Sequence, residues 1–183
     1  MDRELSKIFA LLARGFSYPE EDNSSDAFFG AVKEVAKALD IPCNSLSYTE
    51  PELREAYTLL FINEPRGRWA PPFSSVYLGG EGILMAKGQD EARNFYLEAG
   101  LEPAVSSEPE DFLPTELHFI SKLIENDKEE ILSRFLKEHL LKWFPRFYNR
   151  LKALEPHPYY LLLAEMTWKL LNMISQEVID ETT

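Results

Sequence analysis

The sequence predicts an all-α protein, a bundle of about seven or eight helices in two lobes with a long aromatic and proline-rich loop. Three observations predict it. Apolar residues recur at the i, i+3, i+4, i+7 spacing of a single helix face along most of the chain. Prolines and capping residues stand between these stripes, where helices should start and stop. No internal repeat or low-complexity segment breaks the pattern.

Leu5, Ile8, Phe9, Leu12 and Phe16 form the first stripe, which Tyr18-Pro19 ends because proline pushes its predecessor out of the α region. Ser24 or Ser25 caps a second helix over Asp26 to Leu39, and Ile41-Pro42 closes it. Thr49-Glu50-Pro51-Glu52 reads as a capping box with proline in the first turn, opening a helix that carries Leu53, Tyr57, Leu60 and Phe61. From Pro65 to Gly82 the pattern changes to prolines, glycines and aromatics. Either Val76–Leu78 and Ile83–Met85 pair as a short hairpin or the segment is a long ordered loop. Trp69, Pro71, Pro72, Phe73 and Tyr77 in it either plug the core or line a site. Gln89 to Ala99 is helical, with Gly100 as its C-terminal cap.

In the second half Leu117, Ile120, Leu123 and Ile124 mark a fifth helix, and Asp127 and Glu130 are expected to cap a sixth carrying Leu132, Phe135, Leu136, Leu140 and Trp143. Pro145 is expected to kink or restart the chain into Phe147 to Leu154, and a last helix runs from about Tyr159 to Ile179. Phe9, Phe16, Phe135, Trp143 and Trp168 belong to the core.

At 183 residues the chain suits a single domain, residues 1–183, with lobes over roughly 1–100 and 108–183 about a hinge at 101–107. Hydrophobic residues at 45% and aromatics at 13% supply a core. The formal net charge of −12 argues against a nucleic-acid partner, which needs clustered Lys and Arg. Cys43 is the only cysteine, so no internal disulfide is possible, and it reads as a small buried hydrophobe in a reducing compartment. With no signal-peptide pattern at Met1–Leu5 and no long uncharged apolar run, the expectation is a cytoplasmic protein without membrane insertion.

Catalytic and ligand motifs are missing. There is no phosphate-binding glycine loop, no Gly-x-Ser-x-Gly elbow and no Cys-x-x-Cys. The three histidines, His118, His139 and His157, are far apart and form no metal-binding pair on one helix face. The sequence therefore names no catalytic residue, cofactor or metal.

The densest feature is Glu108 to Glu116, with four carboxylates and two prolines in nine residues ahead of an apolar stripe. The carboxylates either complement the dipole of the helix that follows, or those beyond the one cap needed point outward beside the aromatic loop. In the second case they form a site for a segment both basic and apolar, since arginine pairs with carboxylates and stacks on rings.

Three segments carry a family resemblance. Glu108-Pro109-x-Asp111 is followed by Phe112 where the family has histidine. Tyr57-Thr58-Leu59-Leu60-Phe61 precedes Ala70-Pro71-Pro72-Phe73-Ser74-Ser75-Val76-Tyr77. Phe135-Leu136-x-x-His139-Leu140-x-x-Trp143-x-Pro145-x-Phe147 comes last. Together, in this order, they resemble the TorD/DmsD/NarJ family of chaperones for molybdoenzyme maturation, over nearly the whole chain. The resemblance implies a helical, non-enzymatic chaperone. Its partner would be the N-terminal region, often a twin-arginine leader, of the catalytic subunit of a molybdopterin-dependent oxidoreductase. It implies client contacts at Asp111, Pro72 and Phe73, with Trp69 and Tyr18 in the same groove. Glu108, Phe112 and Glu116 complete the expected site, with Glu108 and Pro109 building the helix start. Phe112 can pack or stack but not titrate, and Phe112 to Leu117 leans toward the NarJ branch. A guanine-nucleotide or pterin-binding protein and a helical adaptor are the competing expectations.

Overall fold

Arg3–Phe16 (α1) is helical where its apolar stripe predicts, and it buries Phe9, Leu12 and Phe16 completely. The computed structural model describes residues 3–43, 46–78, 87–102 and 108–180. Asp26–Ala38 (α2) starts at Ser25, whose hydroxyl accepts the Phe28 amide hydrogen. Glu50–Tyr57 (α3) starts with the expected reciprocal capping box between Thr49 and Glu52 and runs on as a π turn over Thr58–Ile62. Ser74–Leu78 (α4) is a short helix, and Lys87–Ala99 (α5) ends at Gly100 with φ at 64°, a left-handed stop that suits glycine. Leu113–Glu125 (α6), Glu129–Phe135 (α7), Leu141–Ala153 (α8) and Pro158–Asp180 (α9) complete the chain.

Some expectations fail locally. Val76, Tyr77 and Leu78 are helical, not a strand, because their segment is capped and packed as α4; Ile83–Met85 lie outside the described residues. Asp127 does not cap α7: it turns left-handed at φ 53° while its amide returns to Ile124, so it ends α6 instead. Pro145 lies inside α8 without ending it. The irregularity falls a turn earlier, in a π turn over Leu136–Leu140 that joins α7 to α8 in one continuous rod. Counting that rod once, the described residues hold eight helical rods. Cys43 is half-buried, and Trp168 is half-buried where it stacks on Phe144 and Tyr148 at 6.3 and 5.9 Å.

The longest packing is between α1, from the first half, and α6, from the second, with buried Ser6 and Ser121 hydroxyls 3.0 Å apart between them. Behind this pair Phe16, Phe61, Phe147 and Tyr160 meet edge-on or tilted at 5.1–6.3 Å, drawing α1, the first π turn, α8 and α9 into one hydrophobic core. The expected hinge lies mostly at 103–107, outside the described residues. Among the described residues no helix is long and apolar enough to cross a membrane.

One contact fixes where α5 begins. A Cβ on Gly88 would lie 2.6 Å from both the Ser75 amide nitrogen and the Ser74 hydroxyl, so the start of α5 can touch the start of α4 only with glycine there. Gly88→Ala should therefore lower stability by about 1–3 kcal/mol, as overpacking does, read as a fall in melting temperature.

Candidate functional site

The loop between the first π turn and α4 is fastened at both ends. Beyond Asn63, the Glu64 carboxylate accepts the amides of Arg66 and Arg68 at 2.8 and 2.9 Å, closing a tight turn through Gly67 at φ 71°. The Ala70 amide donates to the Leu60 carbonyl at 2.7 Å, bringing the backbone beside Trp69 back to the π turn. At the far end the Ser74 amide donates to the Asp111 carbonyl at 2.9 Å and the Leu113 amide to the Pro72 carbonyl at 2.8 Å. These two bonds form a one-residue antiparallel bridge between Phe73 and Phe112, whose rings stack 5.0 Å apart at 24°.

The acidic segment does its work inward. Asp111 is 2% exposed, and its Oδ2 accepts the Ser75 amide at 3.0 Å, so it caps α4 from 36 residues away in sequence. Glu110 accepts Gln89 Nε2 and Arg93 Nε, each at 2.8 Å, and its carbonyl accepts the Tyr96 hydroxyl at 3.4 Å, which ties down α5. Partial burial pulls the Glu110 carboxyl upward, but the Gln89 and Arg93 bonds hold it below the ordinary range. Glu108 accepts the Thr115 hydroxyl at 3.4 Å, and burial raises its pKa despite that bond. It lines an apolar cleft of about 270 Å³ between α1 and α6, with Ala10, Ala13, Pro114 and His118.

Glu116 is 0% exposed. One oxygen lies 2.8 Å from His139 Nε2, and the other accepts the Trp143 indole N–H at 3.0 Å.

Both sequence readings of the segment are corrected by this geometry. The residue at the N-cap of α6 is Phe112, which gives no side-chain cap; Glu116 stands in the first turn of α6 and Glu108 bonds Thr115 there, while Asp111 and Glu110 are turned to other helices. Nor do Asp111 and Glu116 present free carboxylates to solvent, since each is enclosed and hydrogen-bonded. Glu110, Asp111 and Glu116 are instead matched to partners remote in the chain, which sequence spacing cannot reveal.

The apolar members of the expected site fare differently. Pro72 is buried and Phe112 nearly so, while Phe73 and Trp69 are half-buried. Tyr18 is 43% exposed, edge-on to Tyr57 at 5.4 Å, with the Arg54 guanidinium 5.5 Å over its ring. Arg54 also donates to the Pro19 carbonyl at 2.9 Å, which holds the Tyr18 turn against α3. Leu59 and Ile62, at 44% and 50%, are two exposed apolar side chains that the sequence reading missed. The available signal was the unbroken run Leu59-Leu60-Phe61-Ile62, too long for a single helix face.

Of the histidines, His139 alone is fully buried, while burial lowers the half-buried His118. Among the described residues no group of three or more His, Cys, Asp or Glu side chains is placed to hold a metal.

The family model described as nitrate reductase delta subunit matches residues 22–149. A Haemophilus influenzae protein named "Probable Tat proofreading chaperone DmsD" is 32% identical over 123 residues, covering 67% of this chain and 60% of that protein, so the chain spans less than two thirds of its length. The "Chaperone protein TorD" of Actinobacillus succinogenes is 29% identical over 147 residues, covering 79% of this chain and 67% of that one. A crystal structure of an Archaeoglobus fulgidus protein assigned to redox enzyme maturation superposes with a TM-score of 0.61 at 27% identity, over 97% of this chain and 94% of the other. These relatives are named for chaperone or maturation roles rather than for a reaction.

Losing the Asp111 carboxylate leaves the start of α4 uncapped inside the protein. Asp111→Ala should lower the unfolding free energy by about 1–3 kcal/mol in a denaturant titration, and Asp111→Asn, which keeps an acceptor oxygen, by less.

Proposed function

Since the chain belongs to the nitrate reductase delta subunit family, which includes the TorD and DmsD chaperones of molybdoenzyme maturation, we propose that it is itself a client-binding maturation chaperone. In this reading it holds the N-terminal region, or twin-arginine leader, of a molybdopterin-dependent oxidoreductase subunit in the cytoplasm until the cofactor is inserted. It catalyses no reaction. The halves 1–100 and 108–183 meet at the client through the joint they share.

The observation that carries the proposal is the exposed apolar and aromatic surface around the fastened loop. Tyr18, Leu59 and Ile62 are exposed, and Trp69 and Phe73 are half-buried, with Phe73 stacked on the buried Phe112. Exposed apolar residues on a chain of net charge −12 suit a partner both apolar and basic. Arg54 over Tyr18 is an internal instance of the same chemistry, a guanidinium resting on an aromatic face.

The burial of Asp111 and Glu116 reassigns the charge pairing. Client arginines would meet Glu108 at the cleft and the exposed Glu20 and Glu21 beside Tyr18. Asp111 and Pro72 act indirectly, by holding Phe73 against Phe112.

The test is binding of a peptide with paired arginines followed by an apolar run. It should bind at micromolar strength, about −8 kcal/mol, and weaken as salt rises. Tyr18→Ala and Phe73→Ala should each weaken it by about 1–3 kcal/mol without a matching loss of fold. Wild-type affinity in both variants would remove this surface from the binding site. Co-purification of a molybdoenzyme catalytic subunit from native cytoplasm would separate a maturation chaperone from a general adaptor.

A further inference from the structure

The carboxylate–imidazole pairing of Glu116 and His139 continues on the other side of the ring. His139 sits on the π turn Leu136–Leu140, fully buried. Its Nε2 meets Glu116 of α6 at 2.8 Å, while its buried Nδ1 makes no hydrogen bond among the described residues and lies at ion-pair distance, 3.5 Å, from Glu91 of α5. The ring lies flat on Phe135 at 5.3 Å and near Phe95 at 6.5 Å.

A neutral imidazole has one donor and one acceptor nitrogen. Between two carboxylates, a neutral ring turns a lone pair toward one of them, and only the imidazolium presents a donor to both. From this geometry we propose that His139 is a positioning residue, a proton-dependent clasp that holds α5 to α6 through Glu91 and Glu116. The proposal stands on the contacts of the folded chain and does not depend on which client is bound.

The surrounding groups are consistent with it. Trp143 of α8 steadies the far oxygen of Glu116. Asp111 and Tyr96 lie close enough to act on Glu116 electrostatically, and both oppose its ionisation or are opposed by it. Burial pushes the Glu116 carboxyl up, with the His139 charge pulling the other way. Burial alone would depress His139, but the Glu116 charge and bond, with Glu91 behind them, raise it above the ordinary imidazole value. Glu91 is the outer member: it lines an open groove of about 420 Å³ with Asn94, Phe95, Glu98, Arg134 and Glu138. Across that groove Arg134 bridges Glu98 at 2.5 Å and Glu138 at 3.6 Å, and Lys142 lines the same rim. The clasp thus reaches solvent through α5, in a groove whose lining does not include Phe73 or Phe112.

The sign of the linkage follows from the raised His139 pKa. The folded state holds a proton on His139 that the unfolded chain has already released. That contribution is therefore complete below the unfolded imidazole value and is lost as pH rises through the folded His139 value.

Histidine NMR titration of the full chain tests the clasp. His139 should titrate with a midpoint above the ordinary imidazole value. Glu91→Gln, a half-exposed and nearly isosteric change, should lower that midpoint by about half a unit, roughly a threefold loss in proton affinity. Amides of α5 around Glu91 should exchange faster above the midpoint than below it, and Glu91→Gln should reduce that difference. A midpoint below the ordinary value, or one that Glu91→Gln leaves in place, would overturn the proposal. His139→Gln adds a second readout if it folds, a melting temperature that no longer falls between neutral and mildly alkaline pH. A fall that persists in that variant counts against the clasp.

Discussion

The carboxylate of Asp111 on the Ser75 amide ties the acidic segment to α4, and with it to the aromatic loop. Five-residue helices such as α4 do not form alone, because so few hydrogen bonds cannot offset the entropy of ordering the backbone. Here both ends are satisfied from distant parts of the chain. Asp111 takes the N-terminal amide, and Arg146 donates to the Tyr77 carbonyl at 2.7 Å near the other end. Tyr77 then lies flat on Trp143 at 5.7 Å, which seats α4 on α8. The bridge between Phe73 and Phe112 is continuous with that cap, so the Asp111 side chain reinforces the far end of the aromatic loop.

The excess of acid ahead of α6 makes sense once the donors at its own start are followed. The Leu113 amide is already used by the Pro72 carbonyl, and Pro114 has no amide hydrogen. Little is left there for a carboxylate to cap. Asp111 goes to α4 and Glu110 to α5, while Glu116 goes to the α7–α8 rod, so one short segment serves as the junction for three other helices. A buried carboxylate is costly when alone and acceptable when fully hydrogen-bonded. That condition is met at Asp111 by a backbone amide and at Glu116 by His139 and Trp143.

Much of the fold was legible because helices announce themselves locally. The stripes of α1, α3 and α6, the Ser25 and Thr49 caps and the Gly100 stop all rest on spacings of a few residues. The site was legible in composition but not in roles. Nothing near Asp111 in sequence reveals that Ser75 needs a cap, and nothing near Glu116 reveals that His139 waits 23 residues on. α4 was misread for the same reason, since Val76-Tyr77-Leu78 has strand-like residues and its helix is imposed by partners. The π turn at Leu136–Leu140 was also out of reach. His139 itself falls on the buried stripe of Leu132, Phe135, Leu136, Leu140 and Trp143, but no residue type signals the π turn there.

Phe112 and His139 divide between them what a single histidine in the acidic motif would combine. A histidine at 112 would put a titrating group against Phe73. Phenylalanine leaves a stack whose strength depends on area and ring geometry, and so on neither pH nor salt. Among the fully buried groups, the proton-sensitive pair beside this segment is Glu116 on the first turn of α6 with His139 on the π turn. Glu116 lies four residues along α6 from Phe112, about one helical turn, on an element that packs along all of α1. A change at His139 can alter how firmly α5 and α6 are joined without altering what the aromatic surface presents. On the reading proposed above, apolar contact at Phe73 and Phe112 is separate from the electrostatics that join α5 to α6.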